Sequence, residues 1–434
     1  MEGMKEYVKI TKSQVKLPTG LAIPAGNEKR VFIPAFGKDN NGYYYLVDYK
    51  EKTITCWTIN NEKIKLILRN KMDIVWDEDS HYFFNNFLAA HSAHFYQDKI
   101  YVTSLCSNYI IVLHLKDDDY DIIINEDQFD YVYSATNDIY NGEMYFARWS
   151  LSDMVKIFKN IFSSITVEVG KVNLASRKFT LFNSFECGNT IHQASITPDG
   201  RKIILLGMST GTVGEFPSTS KVDTDVDMQE LLEQGLLKSQ ISMYNIETNR
   251  FTTLYLKTGT GHIEYDTTSD VCYISNHNLG YDHINKDIYC FGPGQIVKTK
   301  FSEDEICLME SYQAADFIRI PSHKIFTYGG ETYIATSVYP NKVHILKTSD
   351  MSIFKKAVVL DNREFTDFSK GPQIYPKIDR TPYTIHPINQ SHYIHLVNVW
   401  NIRLFDFMSD KVIHTINYNF NRKSLITIGH GLDF

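Results

Sequence analysis

The stretch 191–207 constrains this chain more than any other. It reads Ile191-His192-Gln193-Ala194-Ser195-Ile196, then Thr197-Pro198-Asp199-Gly200, then Arg201-Lys202-Ile203-Ile204-Leu205-Leu206-Gly207. Proline presets φ for a turn, and glycine accepts the positive φ that follows. Both flanks are apolar and strand-length, so the pattern is strand, tight turn, strand, with a histidine at its head. Altered copies recur along the chain, at 74–115, 131–183, 262–301, 315–360 and 383–418, and the first strands fall within 8–58. No regular alternation of strands with helices argues for a parallel α/β sheet.

About seven four-strand units of roughly 60 residues fit this spacing, which is the grammar of a β-propeller. The expected fold class is therefore all-β, a propeller of seven four-stranded blades with short helical insertions; six and eight blades are the alternatives. Residues 1–434 read as one propeller domain, with insertions near 150–165 and 214–240. Ser152, with apolar residues at 154, 157, 158, 161 and 162, predicts a capped helix in the first insertion. Residues 227–234 read as a helix in the second. The terminal run Ser424-Leu425-Ile426-Thr427-Ile428 is expected to complete a blade begun at the N-terminus.

Composition narrows the partners. A 434-residue chain that is 43% hydrophobic can bury a large core, and its 28 Tyr and 26 Phe favour strands. Net charge is −7 with no dense basic stripe, so nucleic acid is not an expected partner. There is no apolar run of the ~18 residues a membrane span needs and no signal-like leader, so a cytoplasmic protein is expected, without a transmembrane segment. The six cysteines form no C-x-x-C pair, which points to free thiols. Dinucleotide, P-loop, nucleophile-elbow and H-E-x-x-H motifs are all missing from the sequence.

The chemistry rests on histidines. In a propeller, the segment entering each blade's innermost strand lies against the central channel. His94, His192, His262, His386 and His430 stand at or near that position and are the candidate metal ligands. Imidazole suits Fe, Cu, Zn and Ni, and three or four around one point leave positions open for substrate or dioxygen. A head histidine can also simply hydrogen-bond within its blade. His91 is ambiguous, because on a regular strand it and His94 face opposite sides. The unit near 315 carries Ala314-Ala315-Asp316 at its head and no histidine.

Three segments resemble those of carotenoid cleavage oxygenases. Ile191-His192-Gln193-Ala194-Ser195-Ile196-Thr197 is similar to the family's His-Asp-Phe-Ala-Ile-Thr ligand segment. Gly261-His262-Ile263-Glu264-Tyr265 is weakly similar to its His-x-x-Asn-Ala-Tyr-Glu segment. Gly429-His430-Gly431-Leu432-Asp433-Phe434 is similar to its last ligand stretch. A fourth segment departs: Ala135-Thr136-Asn137, followed by Gly142-Glu143-Met144, resembles the first ligand segment, but Asn137 replaces the histidine. The resemblance implies a seven-bladed propeller with axial Fe(II) as cofactor. It implies an apolar tunnel and oxidative cleavage, or related lyase or isomerase chemistry, on a small apolar or aromatic substrate. The rival expectation is a non-catalytic propeller that presents loops such as 214–240 and 277–285 to a protein partner.

Overall fold

A computed structural model describes residues 8–433 apart from 19–28, 64–89, 154–163, 208–238, 314–321, 359–372, 375–383 and shorter stretches between strands, 429–430 among them. It is a seven-bladed propeller. Blade 1 runs outward from Leu425–Ile428 through Arg30–Gly37, Gly42–Asp48 and Thr53–Asn60 to Lys9–Lys16. Its innermost strand thus comes from the C-terminal end and its outermost from the N-terminal end. This is the closure that the terminal apolar run predicts, and it leaves no long inner edge unpaired.

The innermost strands of the next six blades are Ala90–Tyr96, a split strand of Tyr131–Tyr133 and Ile139–Tyr140, Ile191–Ile196, Ile263–Tyr265, Ser322–Tyr328 and Thr384–Pro387. Thr136–Asn137 leaves blade 3 to pair in parallel with Ile191–Ile196 of blade 4. The second strand of blade 4, Lys202–Gly207, is buried past its first residue: Ile203, Ile204, Leu205 and Leu206 are 0% exposed. Outermost strands alternate instead, as Phe179–Cys187 does, because one of their faces meets water.

Two expectations about the strands need correcting. The runs 287–290 and 295–298 read in the sequence as the finishing strands of the unit 262–301, but Asp287–Cys290 does not complete blade 5. It pairs with Leu279–Asp282 and Gln373–Ile374 in a separate three-stranded sheet, and Ile306–Gln313 is the blade's outer strand. Blade 6 opens at Ser322–Tyr328 rather than near 317, so it does carry a head histidine, His323. Leu151 to Asp153 are helical, while the rest of that expected helix and the one at 227–234 lie outside the described residues.

The turn that opened the sequence forms as its residues dictate. Gly200 has φ +74°. The Thr197 hydroxyl donates to Asp199 Oδ1 at 2.6 Å, and the Arg201 amide donates to the same oxygen at 3.1 Å. Thr197 N–H then bonds Lys202 O at 2.9 Å, which starts the hairpin.

Candidate active site

Both histidines nearest the axis sit on β-bulges. In blade 2, Ala90 pairs with Ser104 and Ser92 with Thr103, so His91 is the extra residue. In blade 4, Ile191 pairs with Gly207 and Gln193 with Leu206, so His192 is the extra residue. A bulge re-aims one side chain without disturbing the ladder beyond it. The two imidazoles meet, with Nε2 atoms 3.1 Å apart and ring centroids 4.6 Å apart. His262, just ahead of the first strand of blade 5, completes a trio. Its ring lies 4.7 Å from His192 and 6.0 Å from His91.

His192 has a fixed tautomer. Its Nδ1 lies 3.0 Å from the carbonyl oxygen of Gly261, which can only accept, so Nδ1 carries the proton. The Nε2 lone pair therefore faces His91. Holding one imidazole nitrogen against a carbonyl is how proteins orient a metal-binding histidine. On the far side of His91, Nδ1 is 3.5 Å from Thr136 Oγ1. Two nitrogens bound to one ion at ~2.1 Å each come to lie about 3 Å apart, so His91 and His192 fit a shared ion in spacing and donor chemistry. Among the described residues, no group of three His, Cys, Asp or Glu side chains is assembled around a metal position.

The other candidates are placed differently. His94 and His386 line a cavity of about 360 Å³ that also reaches His262. His386 stands in regular register opposite His395. His430 lies outside the described residues. Asn137 turns from the axis: it is 1% exposed, and its carboxamide is held to Ser134, with Nδ2 donating to Ser134 O at 2.8 Å. His323, also in regular register, has Nε2 at 2.9 Å from Tyr273 O of blade 5, a contact between blades.

Below the trio the cavity wall is largely polar. Four pairs of residues two apart in sequence form this layer of wall: Ser92 and His94, Thr136 and Asp138, His262 and Glu264, and Ser322 and Lys324. The apolar tunnel implied by the resemblance is not seen among these described residues. Lys324 Nζ bonds Glu264 Oε1. Burial pushes the Asp138 carboxyl up to about 6, against hydrogen bonds from Ser195 and the Ile196 amide. Burial, aided by the charge of Lys324, pushes His94 down to about 4, so its ring is neutral at neutral pH. Gln193 ties this layer to blade 5: its Nε2 donates to Ser195 Oγ at 2.7 Å, and its Oε1 accepts from Ile263 N at 3.1 Å.

No family model matches the chain. No curated protein matches its sequence. Among solved structures, the crystal structure of an ACO/RPE65 chimera is similar over 97% of this chain and 95% of that one, with a TM-score of 0.50 and 10% sequence identity. That chimera belongs to the carotenoid cleavage oxygenases, so the chain shares that family's seven-bladed propeller fold. At this identity the likeness shows the fold alone.

Proposed function

We propose that the chain is a metal-dependent propeller enzyme of the oxygenase type, with His91, His192 and His262 as the protein ligands and His430 as a further candidate. The observation that carries this reading is the paired bulge. Two blades independently break register to bring His91 Nε2 within 3.1 Å of His192 Nε2, with the His192 lone pair left facing inward. A bound non-haem iron would supply dioxygen binding and redox chemistry for cleaving a small unsaturated substrate. Gly261 O holds the His192 ring in place, and Thr136 backs His91.

Metal analysis of the purified chain tests this. We expect close to one equivalent of transition metal, falling at least tenfold in His192→Ala and in His91→Ala. Less than about 0.1 equivalent in the unaltered protein after reconstitution with Fe(II) would overturn it. The second reading, a binding propeller, is favoured by one observation: an Nε2–Nε2 separation of 3.1 Å is equally a plain imidazole–imidazole hydrogen bond. That reading expects no metal, and conservation of structure in a His91→Gln variant.

A further inference from the structure

We propose that the axial cavity below the histidine trio is a binding site for a small organic cation, a primary or secondary ammonium, with Asp138 as its counter-ion and His94 as a second acceptor. The inference goes beyond the metal reading and does not need the metal.

The charges on the wall carry it. The described wall holds His94, Glu264 and Lys324, from strands of blades 2, 5 and 6, and Asp138, from the link between Thr136–Asn137 and Ile139–Tyr140. Glu264 and Lys324 form an ion pair with each other. His94 is neutral at neutral pH. With Glu264 paired to Lys324, the carboxylate left over on the described wall is that of Asp138. Among the described residues, no Lys, Arg or His forms an ion pair with that carboxyl. A half-buried carboxylate at the cavity wall is costly without a countercharge, and a cation in the cavity supplies one. An anion finds no such match among the described residues, because the Lys324 ammonium already has the Glu264 carboxylate.

Hydrogen bonding points the same way. Ser195 Oγ accepts a hydrogen bond from Gln193 Nε2 at 2.7 Å and its hydroxyl donates one to Asp138, so the carboxyl is oriented by a chain of hydrogen bonds anchored on Ile263. His94 Nε2 is buried and has no hydrogen-bond partner among the described residues. The neutral ring can present a lone pair there, so an ammonium has two acceptors. A cavity of about 360 Å³ is at the small end of ligand sites. Ser92, Thr136 and Ser322 line it too, which suits a hydroxyl-bearing amine better than an alkyl one.

Calorimetric titration of the full chain at pH 7.5 with ethanolammonium, using ethylene glycol as the neutral control, tests the site. We expect the ammonium to bind and the glycol not to. Binding should weaken at least tenfold in Asp138→Asn and tighten in Lys324→Met, which adds a second uncompensated carboxylate. It should persist in His192→Ala, which separates this site from the metal reading. Equal binding of amine and glycol, no binding of the amine, or an affinity unchanged in Asp138→Asn overturns the proposal. So does weaker or unchanged binding in Lys324→Met.

Discussion

At the scale of single residues, Asp138 has a consequence for stability. Its carboxyl has a folded value of about 6 against an ordinary 3.8. The folded protein therefore holds the proton more tightly than the unfolded chain does. Stability from this group is complete below about pH 3.8 and is lost as pH rises through about 6. Asp138→Asn removes the penalty. It should raise stability at pH 7.5 by on the order of 1–2 kcal/mol, a figure discounted for water in the cavity. The gain should vanish near pH 4. Urea unfolding of both proteins at the two pH values checks this, and a less stable Asn variant at pH 7.5 would count against it. His94 acts in the opposite sense. With a folded value lowered to about 4, it favours the unfolded chain as pH falls from 6.5 towards 4. Both measurements therefore need the His94→Phe background as a control.

At the scale of elements, the bulges decide which histidines reach the axis. Sequence spacing placed the head histidines correctly on innermost strands for His94, His192 and His386. It could not rank them, because period-two alternation assumes a regular ladder. His91 was ambiguous for that reason: one extra residue between Ala90 and Ser92 turns it onto His192. His323 was missed because the run Phe317-Ile318-Arg319-Ile320 looks like a strand, while the described strand starts at Ser322 after Pro321. The turns were more legible, since their residues carry their own geometry. Gly200 shows how much depends on that. An added Cβ would lie 2.6 Å from the ring of Tyr140, at a φ of +74°. Gly200→Ala should cost about 1–3 kcal/mol. Adding Tyr140→Ala should recover the contact part only, leaving the cost of the positive φ. Thermal unfolding of the two single variants and the double variant measures the coupling, and strictly additive effects would refute the contact.

At the scale of the whole molecule, the axis is the one place where blades distant in sequence meet. His91, His192 and His262 come from blades 2, 4 and 5, the first two 101 positions apart. The ring of blades brings them together, and Leu425–Ile428 paired to Arg30–Gly37 joins the two ends of the chain in blade 1. Asn137, where the sequence departs from the resemblance, has its carboxamide bonded to Ser134. The same geometry would tie the proposed ion to global stability. An ion held by three blades binds the folded ring and not the separated strands, so loading stabilises by RT ln(1 + [L]/Kd), about 2.7 kcal/mol at one hundred times Kd. Stripping the metal with a chelator should therefore lower the unfolding temperature of the unaltered chain by several degrees. Adding Fe(II) back should restore it. In His192→Ala neither treatment should shift the transition. Differential scanning calorimetry distinguishes this from a surface effect: an ion bound at scattered carboxylates would shift both proteins alike. In that case the axial trio would be a hydrogen-bonded plug that joins blades without holding metal.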